Sequence, residues 1–173
     1  MKHKEAFYLI LRYLILIILP LGNLFIFYYI FTPLTIYPVL KVFNYLYEAV
    51  LLEGNIIFFK GYYAEIISAC VAGSAYYLLL ILNLTTPINL KTRIKSIIFL
   101  MLSFYILNIL RIIIFGVLLF KGYEYFDLTH KLTWYFGSTL LVILIWFVNI
   151  YLFKIKEIPV VSDAKRVIND IKR

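Results

Sequence analysis

This chain holds one cysteine, two histidines and nine acidic residues among 173, and each scarcity closes a class of function. A lone Cys70 cannot form an intramolecular disulfide, nor supply the several thiolates of a structural zinc or iron–sulfur site. His3 and His130 are the whole imidazole supply, so metal catalysis is not expected and no cofactor is implied. No internal repeat or low-complexity segment stands out. The hydrophobic runs lack the period-2 alternation of a β-barrel. The first run lacks a small-residue cleavage site and continues into the bulky "FIFYYIF", so it reads as an anchor and not as a removable signal peptide.

What the chain has is apolar length. Hydrophobic residues make up 64% of it and the mean hydropathy is +0.95, against about 45–50% apolar in an ordinary soluble domain. Runs over residues 13–31, 68–84, 94–120 and 132–153 reach or approach the ~20 residues that cross a ~30 Å hydrocarbon core. The expected fold is an all-α integral membrane bundle of about four transmembrane helices. A single membrane-embedded domain would occupy 1–153, with its core at 53–153, and 154–173 would form a basic tail. Within "YPVLKVFNYLYEAVLLEGN" an apolar stripe (Val39, Val42, Phe43, Leu46, Tyr47, Val50) suggests an amphipathic helix lying on the membrane interface. "IIFFKGYYAEI" suggests a short β-hairpin turning at Lys60-Gly61. After Pro159 a short helix is expected, with Ala164, Val167, Ile168 and Ile171 on one face.

The charge balance of +8 is a topology signal and does not point to nucleic acid. Lys2, Lys4 and Arg12, then Lys91, Arg93 and Lys95, then Lys154, Lys156, Lys165, Arg166, Lys172 and Arg173 all fall on one side of the four-span arrangement. Lys41, Lys60, Lys121 and Lys131 fall on the other, among Glu48, Glu53, Glu65, Glu124 and Asp127. The positive-inside rule then puts both termini in the cytoplasm, in a multi-pass protein of the cell membrane.

That orientation carries three reactive side chains towards the outer leaflet. Cys70 lies near the start of the second span. Arg111 lies nine residues before Phe120, about 13 Å along the helix, and its side chain can snorkel back. His130 stands at the entrance of the fourth span. Cys70, Gly73, Ser74 and Tyr77 share one helical stripe; Asn108 and Arg111 share another with Phe104 and Phe115; His130, Thr133, Gly137 and Leu141 share a third. Small and polar stripes are where membrane helices pack closely, with Gly73 and Gly137 allowing close approach.

Each residue taken singly has a plainer role. Arg111 can cap carbonyls or snorkel to the interface, although an arginine inside a span costs at least ~2.5 kcal/mol on insertion scales and marks a functional position by default. Cys70 can be a small buried hydrophobe, and His130 a helix cap. Asp127 and Thr129 are N-cap candidates. Ser74 and Ser138 lack an elbow motif that would make either a nucleophile. Taken together, a thiol whose ionisation a helix start or a cation favours, a base, and a charge stabiliser are the minimum kit for acyl transfer through a thioester. A reading of a different class is a non-catalytic membrane subunit, with Arg111 pairing an acidic residue on a partner helix.

The ordered segments "SACVAGSAYYLL" with Cys70, "LNILRIIIFG" with Asn108 and Arg111, and "FDLTHKLTWYFGS" with His130 and Gly137 resemble the exosortase/archaeosortase family of membrane cysteine transpeptidases. The "CVAGSAY" form is more similar to its archaeal branch. The resemblance implies protein sorting at the cell surface. Substrates would be exported proteins ending in a short motif, a hydrophobic helix and a basic cluster. They would be cleaved near the motif, and the new carboxyl end passed to an acceptor such as a lipid. By the same resemblance Cys70 is the nucleophile, Arg111 and His130 complete the catalytic site, and Asn108 orients Arg111. Two departures stand out: many relatives have more spanning helices, and Val71 replaces a small hydroxyl residue.

Overall fold

The structure is a computed structural model that describes residues 3–171. Lys2, Lys172 and Arg173 lie outside the described residues, as do the side chains of Lys4, Arg166 and Ile171. Helices dominate: α1 (His3–Ile18), a 3-10 turn (Leu19–Gly22), α2 (Phe25–Tyr47), α3 (Ser68–Val71), α4 (Gly73–Leu84), α5 (Leu90–Phe120), α6 (Phe126–Leu132), a π-turn (Thr133–Gly137), α7 (Ser138–Phe153) and α8 (Val161–Ile171). Between α2 and α3 lie β1 (Val50–Leu51), β2 (Ile56–Phe59) and β3 (Tyr62–Glu65).

Four helical stretches, Glu5–Gly22, Phe25–Tyr47, Leu90–Phe120 and Phe126–Phe153, are long and apolar enough to cross a membrane, and Ser68–Leu84 is shorter. Their outward faces stay apolar. Leu102, Ile106, Leu110 and Ile114 along α5, and Leu140, Leu144, Phe147 and Tyr151 along α7, are exposed. Helices apolar all round suit a hydrocarbon solvent, because their backbone groups are satisfied within each helix.

Side-chain pairings fix the directions. Asn83 meets Ser96, and Ser96 meets Asn149. At the opposite end Asn108 meets Cys70 and Arg111 meets Ser138. Helix α5 is therefore antiparallel to both α4 and α7. Helix α2 runs parallel to α5: Phe31 stacks on Tyr76, and further along Phe43 fills the space beside Gly116, where an added Cβ would meet its ring. In α1, Arg12 reaches the Leu84 carbonyl while the Leu16 carbonyl accepts from Tyr77. Thus α1 climbs antiparallel to α4, and its first half extends past the end of α4. The bundle has a sheet end and a basic end.

The first expected span, 13–31, is cut. Pro20 and Gly22 stop α1, and Asn23 and Leu24 take left-handed φ of 51° and 58°. The separate interfacial helix expected over 37–55 does not form either, because residues 37–47 are the final turns of α2, which runs through Pro33 and Pro38. A proline inside a helix leaves the carbonyl four residues back without its donor. Here the Leu34 carbonyl freed by Pro38 accepts from the Tyr105 hydroxyl at 2.9 Å, so one of the two interruptions is offset by a tertiary hydrogen bond.

The hairpin forms as expected and gains a third strand. Strand order is β1-β2-β3, antiparallel throughout, with Phe59 opposite Tyr62 across a two-residue loop. Lys60 and Gly61 have φ of 47° and 86°, the two positive values of a type I′ turn. Ile57 and Phe59 are fully buried on Val39, Phe43, Val71 and Ile112. A second apolar cluster, with Tyr76, Leu79, Leu100, Phe104 and Val142, fills the bundle centre.

The basic end is closed by polar groups. Arg93, 7% exposed, donates to the carbonyls of Asn83 (2.5 Å), Thr86 (2.7 Å) and Ile88 (3.4 Å), which lie at and just past the end of α4. Arg12 joins it at Leu84 and Thr86 and pairs with Asp163 of α8 at 2.9 Å. The expected α8 does form after Pro159, but Asp163 is the buried position and Ala164 and Ile168 are exposed.

Candidate active site

The second apolar run breaks at Ala72, whose φ of 57° and ψ of 46° end α3 after a single turn. Left-handed backbone costs an L-residue roughly 1–2 kcal/mol. It also strips partners from the last carbonyls of α3, since the helix that would supply their N–H donors has turned away. Asn108, 1% exposed on α5, takes up two of them: its Nδ2 donates to the Cys70 carbonyl at 2.9 Å and to the Val71 carbonyl at 3.4 Å. Arg111, one turn further on, donates Nη2 to the Cys70 carbonyl at 3.4 Å and Nη1 to the Ser138 hydroxyl. Asn108 therefore holds the backbone of the cysteine. It is not seen orienting Arg111, the role the resemblance implied; among the described residues Ser138 is the side chain bonded to that guanidinium.

Cys70, Arg111 and His130 line one cavity of about 230 Å³, together with Ile67, Ala69, Phe115, Lys131, Thr133 and Trp134. Cys70 and Arg111 are half-buried and His130 is exposed. The imidazole lies flat on Phe126 (centroids 5.6 Å, 7° between planes) and edge-on to Phe115 at 5.2 Å. The ring is thus held by aromatic packing in the wall of the cavity that Cys70 also lines. A second cavity, also about 230 Å³, shares Ala69 and Trp134 with the first and is lined by the hydroxyls of Ser68, Ser74, Ser138 and Thr139.

Several expected details are corrected. The stripe of Cys70, Gly73, Ser74 and Tyr77 does not survive as one face, because the break at Ala72 turns α3 away from α4. Cys70 lines the first cavity, Ser74 the second, and the Tyr77 hydroxyl bonds the Leu16 carbonyl. Gly73 makes room for the Tyr28 ring, 2.9 Å from where a Cβ would sit, and not for the helices bearing Arg111 or His130. At Gly137 the nearest group is Thr133 of its own segment, also at 2.9 Å, so it does not draw helices together. Asp127 lies in the first turn of α6, whose N-cap is Tyr125 without a side-chain cap bond, and it does not line the site. Helix α3 begins at Ser68, with Ile67 at its N-cap and no side-chain cap bond. No residue of 37–63 lines the cavity; the segment packs on Val71 and Ile112.

Ser138 is the residue sequence reasoning passed over. It stands eight residues after His130, near one face at helical spacing, and its partner sits in the middle of an apolar span. That pairing was the available signal. A π-turn over Thr133–Gly137 widens the helix by one residue per turn and shifts the register expected from α spacing.

The arrangement offers a thiol, an imidazole and a guanidinium around one small space, with the backbone of the thiol residue held from α5. Acyl transfer uses such a set. No family model, curated protein or solved structure matches this chain.

Proposed function

We propose that the chain is a membrane-embedded cysteine transpeptidase that cleaves exported proteins near their C-termini and transfers the new carboxyl end to an acceptor. The supporting observation is that three segments remote in sequence bring Cys70, Arg111 and His130 to one cavity.

In the proposed cycle His130 takes the Cys70 proton and the thiolate attacks a peptide carbonyl carbon. Arg111 stabilises the oxyanion that forms. Collapse breaks the C–N bond, His130 returns the proton to the departing amine, and Cys70 holds the acyl group as a thioester. The nucleophile of the acceptor, a lipid in the archaeosortase-like reading, then gives its proton to His130 and displaces the thiolate, which is reprotonated. Substrates carrying a motif, a hydrophobic helix and a basic cluster would lie with the helix in the bilayer and the motif beside Cys70.

The orientation proposed with this reading puts the basic end in the cytoplasm and the site near the outer face. The basic residues Arg12, Lys91, Arg93, Lys95, Lys154, Lys156 and Lys165 support it through the positive-inside rule. Reporter fusions after Lys91 and after Lys121 should report opposite sides, the first cytoplasmic. The chemistry is tested by Cys70→Ala, which should abolish release of the C-terminal helix from a co-expressed substrate while leaving the level of inserted protein unchanged. Continued turnover would remove the thioester mechanism.

A non-catalytic subunit binding a partner helix is the second reading. It is favoured by the Arg111–Ser138 bond, which already occupies part of the guanidinium. Alkylation by a membrane-impermeant thiol reagent separates the two: a readily labelled Cys70 belongs to the enzyme, an inert one to the subunit.

A further inference from the structure

We propose that the free edge of β3, prolonged by the extended backbone to Ile67, is a docking strand that pairs with an extended peptide segment and leads it to Cys70. This deepens the transpeptidase reading and rests on it.

Strand order β1-β2-β3 leaves β3 bonded on one side only. In an antiparallel ladder, residues alternate between exchanging both hydrogen bonds with the partner and directing their N–H and C=O groups away from it. The two-residue loop makes Phe59–Tyr62 an exchanging pair, and Ile57–Ala64 follows by register. The Ile66 N–H continues the series by donating to the Asn55 carbonyl at 2.9 Å. The inward set is thus Tyr62, Ala64 and Ile66, and the backbone groups of Tyr63, Glu65 and Ile67 face the open side. On the other side of the sheet the same alternation is met: the Ile56 carbonyl accepts from Leu52 of the β1 segment at 2.9 Å.

Ile67 is extended, with φ −81° and ψ 168°. Its carbonyl accepts from the Cys70 and Val71 N–H groups, so its own N–H is the last donor of the open row. Ile67 is also the first residue of the Cys70 cavity wall. The row of unpaired backbone groups therefore ends at the cavity, with the thiol three residues further along the chain. Tyr63 is 68% exposed and Ile67 48%. Natural sheet edges are usually blunted by proline, a bulge, inward charge or a covering element; Tyr62–Glu65 carries only Glu65. A bare edge of this kind is the feature used in strand addition, where main-chain bonds give affinity and side chains tune it. A segment lying about 4.8 Å from β3 and running past Ile67 would enter the space lined by Cys70 and Arg111. Recognition through main chain would accept many side chains but require an extended, proline-free stretch.

The test uses a fluorescein-labelled six-residue Thr/Val peptide and the full chain in liposomes, with the Cys70→Ala variant so that binding is read apart from chemistry. Saturable binding is expected. Methylating one backbone nitrogen of the peptide at a time should weaken it at least tenfold at alternate positions and less than twofold at those between. Tyr63→Pro, which removes an outward N–H and no ladder bond, should weaken it at least tenfold. Absence of saturable binding up to millimolar peptide, or equal sensitivity at neighbouring nitrogens, would overturn the docking strand, and the methyl scan needs no substitution in the strand itself. Iodoacetamide labelling of Cys70 in the unmodified chain reads the chemistry separately. Alternating binding with an inert thiol would sink the transpeptidase and keep the strand; a reactive thiol without alternation would do the reverse.

Discussion

At each end of the bundle an arginine of α5 answers the carbonyls left by a helix that stops. At the basic end Arg93 meets the end of α4 with three hydrogen bonds to main chain and a fourth, at 3.3 Å, to the Asn83 side chain. Around it Asn83, Ser96 and Asn149 are all fully buried, and Arg12 and Asp163 close the network from α1 and α8. At the sheet end Arg111 meets the end of α3 with one long bond to a carbonyl and one to Ser138, and the same guanidinium lines a cavity. Both arginines sit on α5; Arg111 lies inside the apolar run 94–120, where an arginine is costly, and Arg93 just before it. What separates them is how fully their donors are spent. A guanidinium saturated by carbonyls at a helix C-terminus is satisfied by orphan acceptors and the helix dipole together, and has little left to offer a substrate. One that keeps donors towards an open space can stabilise charge that appears there.

Replacing each arginine by lysine should therefore give opposite outcomes, and this is the largest effect expected. On the proposed mechanism Arg111→Lys should cut processing by about 10²–10³-fold, as expected on losing a positioned oxyanion donor, because an ammonium cannot reproduce the planar fork. Its thermal stability in detergent should move little. Arg93→Lys should leave processing per folded molecule within about twofold but lower stability by about 2–3 kcal/mol, since buried carbonyls lose their donors. Equal losses of activity from both would erase the distinction.

Much of this comparison is legible in the sequence. The apolar runs announced the helices, the Lys60-Gly61 pair announced the hairpin, and the order of Cys70, Arg111 and His130 along alternating spans announced one cavity. What escaped the reading depended on partners distant in sequence. Pro38 frees the Leu34 carbonyl, and nothing local reveals that Tyr105 would supply its donor. The break at Ala72 has no glycine or proline at the left-handed position, so composition gives no sign of it. Asn83, Ser96 and Asn149 were visible as polar residues inside apolar runs, yet only their mutual hydrogen bonds explain why the chain keeps them. The break at 19–24 was readable from Pro20, Gly22 and Asn23 and was outweighed by the hydrophobicity around it.

Asn108 stands between the two cases, because it is buried like the residues of the basic end but serves the cysteine. Asn108→Ala should leave the Cys70 and Val71 carbonyls without that donor. The expected cost is about 1–2 kcal/mol of stability, together with a fall in processing of about tenfold as the thiol loses its fixed position. Both should drop in the same variant. A loss of stability with full activity would make Asn108 a purely structural residue and move it to the class of Asn83.

The smallest effect concerns Ala72 and turns on its sign. At its left-handed position, Ala72→Gly removes a backbone cost of roughly 1–2 kcal/mol. Against that stand about 0.5–1 kcal/mol for the greater freedom of glycine in the unfolded chain and about 0.8 kcal/mol for the buried methyl group. Ala72 is 7% exposed, so the methyl contribution applies nearly in full. The sum should lie within about 0.8 kcal/mol of zero, and processing should be unchanged because the break is kept. If α3 and α4 were instead one continuous helix, the same substitution would place glycine in a helix interior at about 1 kcal/mol and lose the same methyl, a total near 2 kcal/mol. A near-neutral result therefore supports the kink that turns Cys70 into the cavity. A clear destabilisation would straighten the segment, return Cys70 to the stripe of Gly73, Ser74 and Tyr77, and leave the two ends of the bundle with the same kind of arginine.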